Sequence, residues 1–141
     1  MRRLEDILDV DQLIKYWPRL LKVGRRDDPD VQPERLLQIY LDCLSNGVLF
    51  VIRTDSGIYG TCGAVHLSDG TLIIRAIPND KGTGIAKQCV EHLYEWGHQN
   101  GCCIIEATTK HFNGSAFKYF TQCLGMNRKS VTFSLPIKIN Y

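Results

Sequence analysis

The segment from Val48 to Ile77 most restricts what this chain can become. Three runs rich in Val, Ile, Leu, Tyr and Thr, over 48–53, 59–67 and 71–77, are separated by Thr54-Asp55-Ser56-Gly57 and Ser68-Asp69-Gly70. Branched and aromatic side chains suit a pleated surface, and short connections holding Asp and Gly reverse the chain. The spacing therefore predicts three antiparallel strands joined by tight turns. Pro78-Asn79-Asp80-Lys81-Gly82-Thr83-Gly84 then ends the third strand and opens a helix. In that helix Ile85, Cys89, Leu93 and Trp96 form one apolar stripe, widened by Ala86 and Val90.

The flanks complete the pattern. Asp9 or Asp11 can cap a first helix through about Val23, whose stripe is Leu13, Ile14, Trp17, Leu20 and Leu21, with Pro18 expected to kink or break it. The charged stretch from Gly24 to Pro33 reads as a loop, and Pro33 suits the first turn of a second helix that stops at Asn46-Gly47. After the glycine turn, the third helix should end near Asn100-Gly101. A short strand over 102–109, a helix over 113–124 and a last strand over 130–139 follow. Pro136 confines that last strand to an edge or a bulge, where a second subunit can pair to give a homodimer. The fold class is α+β: a central mixed, mostly antiparallel sheet with flanking helices and one β-α-β crossover, in a single domain over 1–141.

Composition narrows the function classes. With 141 residues, a chain buries roughly two-thirds of its unfolded surface and needs no disulfide or structural metal to hold a core. Seventeen basic residues are interspersed with fifteen acidic ones, without the basic stripe of a nucleic-acid binder. No apolar run is long enough for a membrane helix, and Met1-Arg2-Arg3-Leu4-Glu5-Asp6 does not begin a secretory signal, so a cytoplasmic location is expected. The cysteines at 43, 62, 89, 102, 103 and 123 lack zinc-type spacing and read as reduced, mostly buried thiols.

The glycine turn carries the chemistry. Glycines between a strand end and a helix start let backbone amides converge, and the helix contributes about half a positive charge there, so a phosphate or pyrophosphate fits. Strand-to-helix geometry alone is the competing explanation for the glycines. A P-loop needs four residues between its first Gly and a Gly-Lys pair, and a dinucleotide fingerprint needs a small residue where Lys87 stands. Neither fits.

The whole arrangement from about 48 to 135 resembles the GNAT (Gcn5-related) N-acetyltransferase superfamily. Gly82 and Gly84 match the family's acetyl-CoA motif, with Asn79 at its first position. Asn113-Gly114-Ser115-Ala116 matches the later Asn-x-x-Ala helix, and Gly125-Met126 the closing Gly-Phe. The resemblance implies acetyl-CoA as acyl donor. Lys81, Gly82, Thr83, Gly84, Ile85 and Ala86 would then hold its pyrophosphate, Ala76 and Ile77 would pair with the pantetheine amides, and Asn113 would touch the cofactor arm. The family's frequent tyrosine falls on Phe120, so the general acid passes to Tyr119, one place earlier. The turn is also about two residues shorter than usual.

Acetyl transfer to an amine needs the neutral amine, and a lysine-like amine is only about one part in a thousand neutral near pH 7.4. Glu106, which interrupts an apolar strand, is the first choice of general base; Asp69 and Asp80 at strand ends are the others, and a partly exposed strand residue is the plainer reading of Glu106. His92 and His98 are six apart and read as solvent-facing helix residues; His66 and His111 are isolated, His111 preceding Asn113. Arg25-Arg26-Asp27-Asp28 is a solvated loop that in the resembled fold borders the acceptor. The leading expectation is an acetyl-CoA-dependent N-acetyltransferase acting on an amine-bearing small molecule or protein. The alternatives are a catalytically degenerate binding or structural relative, a type found among phage-encoded proteins, and an unrelated α+β domain.

Overall fold

The computed structural model describes residues 2–79, 82–108, 127–129 and 132–137. The expected elements over 109–126, with Asn113, Tyr119, Phe120 and His111, lie outside the described residues, as do Asp80 and Lys81. Seven strands and three helices are described: β1 (Arg3–Asp6), α1 (Val10–Asp27), α2 (Pro33–Asn46), β2 (Gly47–Thr54), β3 (Gly57–His66), β4 (Thr71–Ala76), α3 (Ile85–Gln99), β5 (Ile104–Thr108), β6 (Asn127–Lys129) and β7 (Thr132–Pro136). They form one sheet of order β1-β2-β3-β4-β5-β7-β6. The meander β2-β3-β4 is antiparallel, as its turns predict, and β4-α3-β5 is the parallel crossover.

Alternation along the strands gives the sheet two apolar faces. Val48, Phe50 and Ile52 of β2 pack with Ile85, Cys89 and Leu93 of α3. Leu49 and Val51 pack on the other face with Leu13 and Leu20 of α1 and with Tyr40 and Cys43 of α2. Such a strand is apolar on both sides because it is covered on both sides.

Several boundaries differ from expectation. Asp9 is the cap of α1, its carboxylate accepting from the Gln12 amide at 2.8 Å. The helix passes through Pro18 without ending, since Pro18 is on the exposed side, where water can take the carbonyl the ring cannot bond. It also runs on through Gly24-Arg25-Arg26-Asp27, so the expected loop shrinks to 28–32; two arginines in the last turn suit the negative end of a helix. β1 was not expected at all: four mostly charged residues carry no alternation, and they pair because β2 offers an open edge, Arg3 opposite Arg53 through Asp6 opposite Phe50. The expected last strand is β7, and a further short strand, β6, precedes it and pairs on its outer side; Pro136 lies past the last described β6 rung.

The described cysteines are free thiols: Cys43, Cys62, Cys89 and Cys102 are buried and Cys103 is exposed. Burial pushes the Cys43 thiol up to about 12 and the Cys62 thiol well above its ordinary value, so both stay protonated and inert. No helix among the described residues is long and apolar enough to cross a membrane.

Candidate active site

The rungs between β4 and β5 run from Thr71/Ile104 to Ile74/Ala107 and stop there, although β4 continues to Ala76 and β5 to Thr108. The two parallel strands thus part at their carboxyl ends. Crevices outside such ends, next to a crossover helix, are where ligands of α/β units bind. Ala76 is held on its other side by the rung to Gly63, so among the described residues the side of β4 that faces β5 has no strand partner at Ala76 and Ile77.

The glycine turn closes the same end. Gly82 and Gly84 have φ of 78° and 80°, the left-handed region that side chains other than hydrogen rarely adopt. A Cβ at Gly82 would meet nothing within 4 Å among the described residues, so against them this glycine serves its backbone shape and does not relieve crowding. Gly84 is the N-cap of α3, and the Thr83 hydroxyl accepts from the Ile85 amide at 3.4 Å. Ile85 and Ala86 turn their side chains into the core, so only their backbone is available to a ligand.

Two neighbours hold the turn that the sequence did not single out. Arg2 donates from a guanidinium nitrogen to the Thr83 carbonyl at 2.7 Å. On the other flank, the Tyr59 hydroxyl donates to the Asn79 carbonyl at 3.4 Å, and the Arg26 guanidinium lies over the Tyr59 ring at 4.5 Å. Arg26 also pairs with Asp27, at 3.1 Å, so one residue of the charged stretch expected to be a solvated loop stacks on the tyrosine that bonds the glycine turn.

Glu106 is half-buried on β5, in register with Ile73 on one side and Ser134 on the other, one rung before β4 and β5 part. Alternation with buried Ile105, which packs toward α3, sets Glu106 on the α1/α2 face of the sheet. Asp69, at the far end of β4, accepts from the Thr71 amide at 2.9 Å, and hydrogen bonds from Thr71 hold its carboxyl below the usual carboxylate range. It serves the turn.

The histidines separate as well. His92 is not solvent-facing as expected: its ring lies edge-on to Phe50 at 4.4 Å and its Nε2 is 2.9 Å from Asp6 Oδ1, which ties α3 to β1. His66 packs edge-on to Trp96 at 6.1 Å, and His98 is exposed. No group of three potential metal ligands occurs among the described residues.

A positive-φ glycine pair thus caps the crossover helix, beside parallel strands whose pairing stops before their ends. The model of the acetyltransferase (GNAT) family matches residues 14–126. The chain belongs to the GNAT family of acetyltransferases. Structural likeness agrees across the GNAT fold. The ribosomal-protein-S18-alanine N-acetyltransferase from Escherichia coli superposes with a TM-score of 0.76 at 12% identity, over 100% of this chain and 97% of that one. Ard1 from Thermoplasma volcanium gives 0.77 at 7% identity, over 97% and 98%. AAC(6')-Iy, solved in complex with the bisubstrate analog CoA-S-monomethyl-acetylneamine, gives 0.67 at 17% identity, over 91% and 92%. No curated protein matches the chain in sequence. GNAT enzymes draw the acetyl group from acetyl-CoA and act on amine-bearing acceptors.

Proposed function

We propose that residues 1–141 form a single acyltransferase domain that moves an acetyl group from acetyl-CoA to a primary amine by direct attack on the thioester. The observation that supports it best is the left-handed Gly82/Gly84 pair at the start of α3, set beside the open end of the β4–β5 ladder.

The residues suit the cofactor. Gly82, Thr83, Gly84, Ile85 and Ala86, with Lys81, would hold the pyrophosphate at the positive end of α3. The open side of β4 at Ala76 and Ile77 would pair with the pantetheine amides as an added strand would, and Asn113 would contact the arm. Bound there, acetyl-CoA supplies an acyl group activated as a thioester.

The chain's own groups handle the protons. Glu106, near the parted strand ends, would take the proton of the acceptor ammonium, directly or through one water. Tyr119 would return a proton to the departing sulfur. An acceptor of lower amine pKa, such as a peptide N-terminus, would depend less on Glu106 than a lysine-like amine.

The test is the melting temperature with and without acetyl-CoA. At about 100 times its dissociation constant a ligand adds roughly 2.7 kcal/mol, several degrees for a domain of this size. A rise with acetyl-CoA that is lost with a fragment lacking the pyrophosphate, followed by acetylated product from an amine panel, supports the reading. No shift at millimolar acetyl-CoA overturns it.

A further inference from the structure

Arg2 lies beside the glycine turn, although it comes from the start of the sequence. It precedes β1, and the β1–β2 pairing carries it to the start of α3, 81 residues away from the carbonyl it bonds. One guanidinium nitrogen donates to Thr83, while the other comes within 3.9 Å of where a Cβ on Gly84 would lie. Arg2, Gly84, Lys87, Gln88 and Glu91 line an open hollow of about 430 Å³ on this side of the turn. Two cations against one carboxylate leave it net positive, in addition to the helix end.

We propose that Arg2 is a positioning and specificity residue for the phosphate-bearing end of CoA: it fixes the glycine turn through the Thr83 carbonyl and presents its remaining donors, with Lys87, to phosphate. The inference rests on the acetyl-CoA reading above. A guanidinium suits both tasks at once, because its planar fork carries five donors and its charge is permanent. The turn needs such a brace, since two left-handed glycines leave it conformationally free.

Calorimetric titration of CoA into the wild-type chain, Arg2→Ala and Arg2→Lys, each at low and high salt, tests this. Arg2 is exposed and its bond to Thr83 is at the surface, so the unliganded melting temperature should fall only slightly in the two variants. Arg2→Ala should weaken CoA about tenfold, the scale of one lost charge-assisted hydrogen bond, and flatten the salt dependence of binding. Arg2→Lys should keep the salt dependence and recover part of the affinity. CoA affinity in Arg2→Ala within twofold of wild type, or Arg2→Lys no better than Arg2→Ala, overturns the role of Arg2 alone. Absence of CoA binding by the wild-type chain overturns the acetyl-CoA reading, and the role of Arg2 with it.

Discussion

Gly60 lies so close to Pro78 that a Cβ built on it would come within 2.8 Å of the proline Cβ and 3.3 Å of its Cγ. Pro78 is buried at the exit of β4, one residue before Asn79 and the glycine turn, so the missing side chain on β3 sets where the turn begins. A proline ring cannot rotate out of the way as a long side chain would. Gly60→Ala should therefore push the turn outward, at about 1–3 kcal/mol of overpacking. The expected outcome is a lower melting temperature together with weaker acetyl-CoA binding. Unchanged affinity in a destabilised variant would separate the turn's position from the site.

Gly82 makes the opposite kind of prediction, because a Cβ there would meet none of the described residues and the difficulty is φ of 78°. A left-handed residue costs roughly 1–2 kcal/mol unless it is Gly or, at lower cost, Asn. Gly82→Val should abolish the melting shift caused by acetyl-CoA, while Gly82→Asn should keep a good part of it. Equal shifts in both variants would mean that the turn's shape is not what binds.

The elements that carry this site were the most legible in the sequence. The meander from Val48, the break at Pro78 and the start of α3 at Ile85 are all signalled by local chemistry, by Asp/Gly turns, a proline and a change of period from two to 3.6. What stayed hidden depends on partners distant in the chain. Arg2 and Tyr59 brace the glycine turn only because β1 and β3 lay them beside it, and nothing in Arg-Arg-Leu-Glu-Asp marks a strand. The continuation of α1 through Arg26 was hidden for the same reason: Gly24 and the charges favour a loop locally, while the Arg26 stack on Tyr59 is a tertiary contact. The role of His92 was missed because a six-residue spacing excludes a metal pair without revealing a Phe50 ring beneath it.

Glu106 is tested by a change that keeps its shape. Glu106→Gln should lower kcat for a lysine-like acceptor by about 10²- to 10⁴-fold, the usual contribution of a general base, and leave acetyl-CoA affinity within twofold. The rise of kcat/KM with pH should then follow the acceptor amine alone. With a peptide N-terminus as acceptor, the same variant should lose less, since that amine is already partly neutral near pH 8. A kcat close to wild type with both acceptors would return Glu106 to an ordinary strand residue.

Glu5 links the stability of β1 to pH. Its carboxylate accepts from the Arg53 guanidinium and, at 3.1 Å, from the Tyr16 hydroxyl, while Arg53 also donates to Tyr16 at 2.7 Å. The hydrogen bond from Arg53 holds the Glu5 carboxyl below its ordinary 4.5, outweighing the upward push of its slight burial. A carboxyl whose folded value is lowered stabilises the fold fully above the unfolded value and loses that contribution as pH falls through the folded one. The melting temperature should therefore be insensitive to Glu5 protonation at neutral pH and fall as the solution is acidified below about 4.5. Glu5→Gln should lower the neutral-pH value modestly, as expected for a partly exposed pair, and remove part of the acid slope. Added salt should shrink the difference between the two chains. Because β1 is the strand that delivers Arg2 to the glycine turn, CoA binding should weaken over the same acid range in the wild-type chain, and less so in Arg2→Ala. Parallel pH titrations of melting temperature and CoA affinity check both, and an acid slope identical in wild type and Glu5→Gln would remove Glu5 from the account.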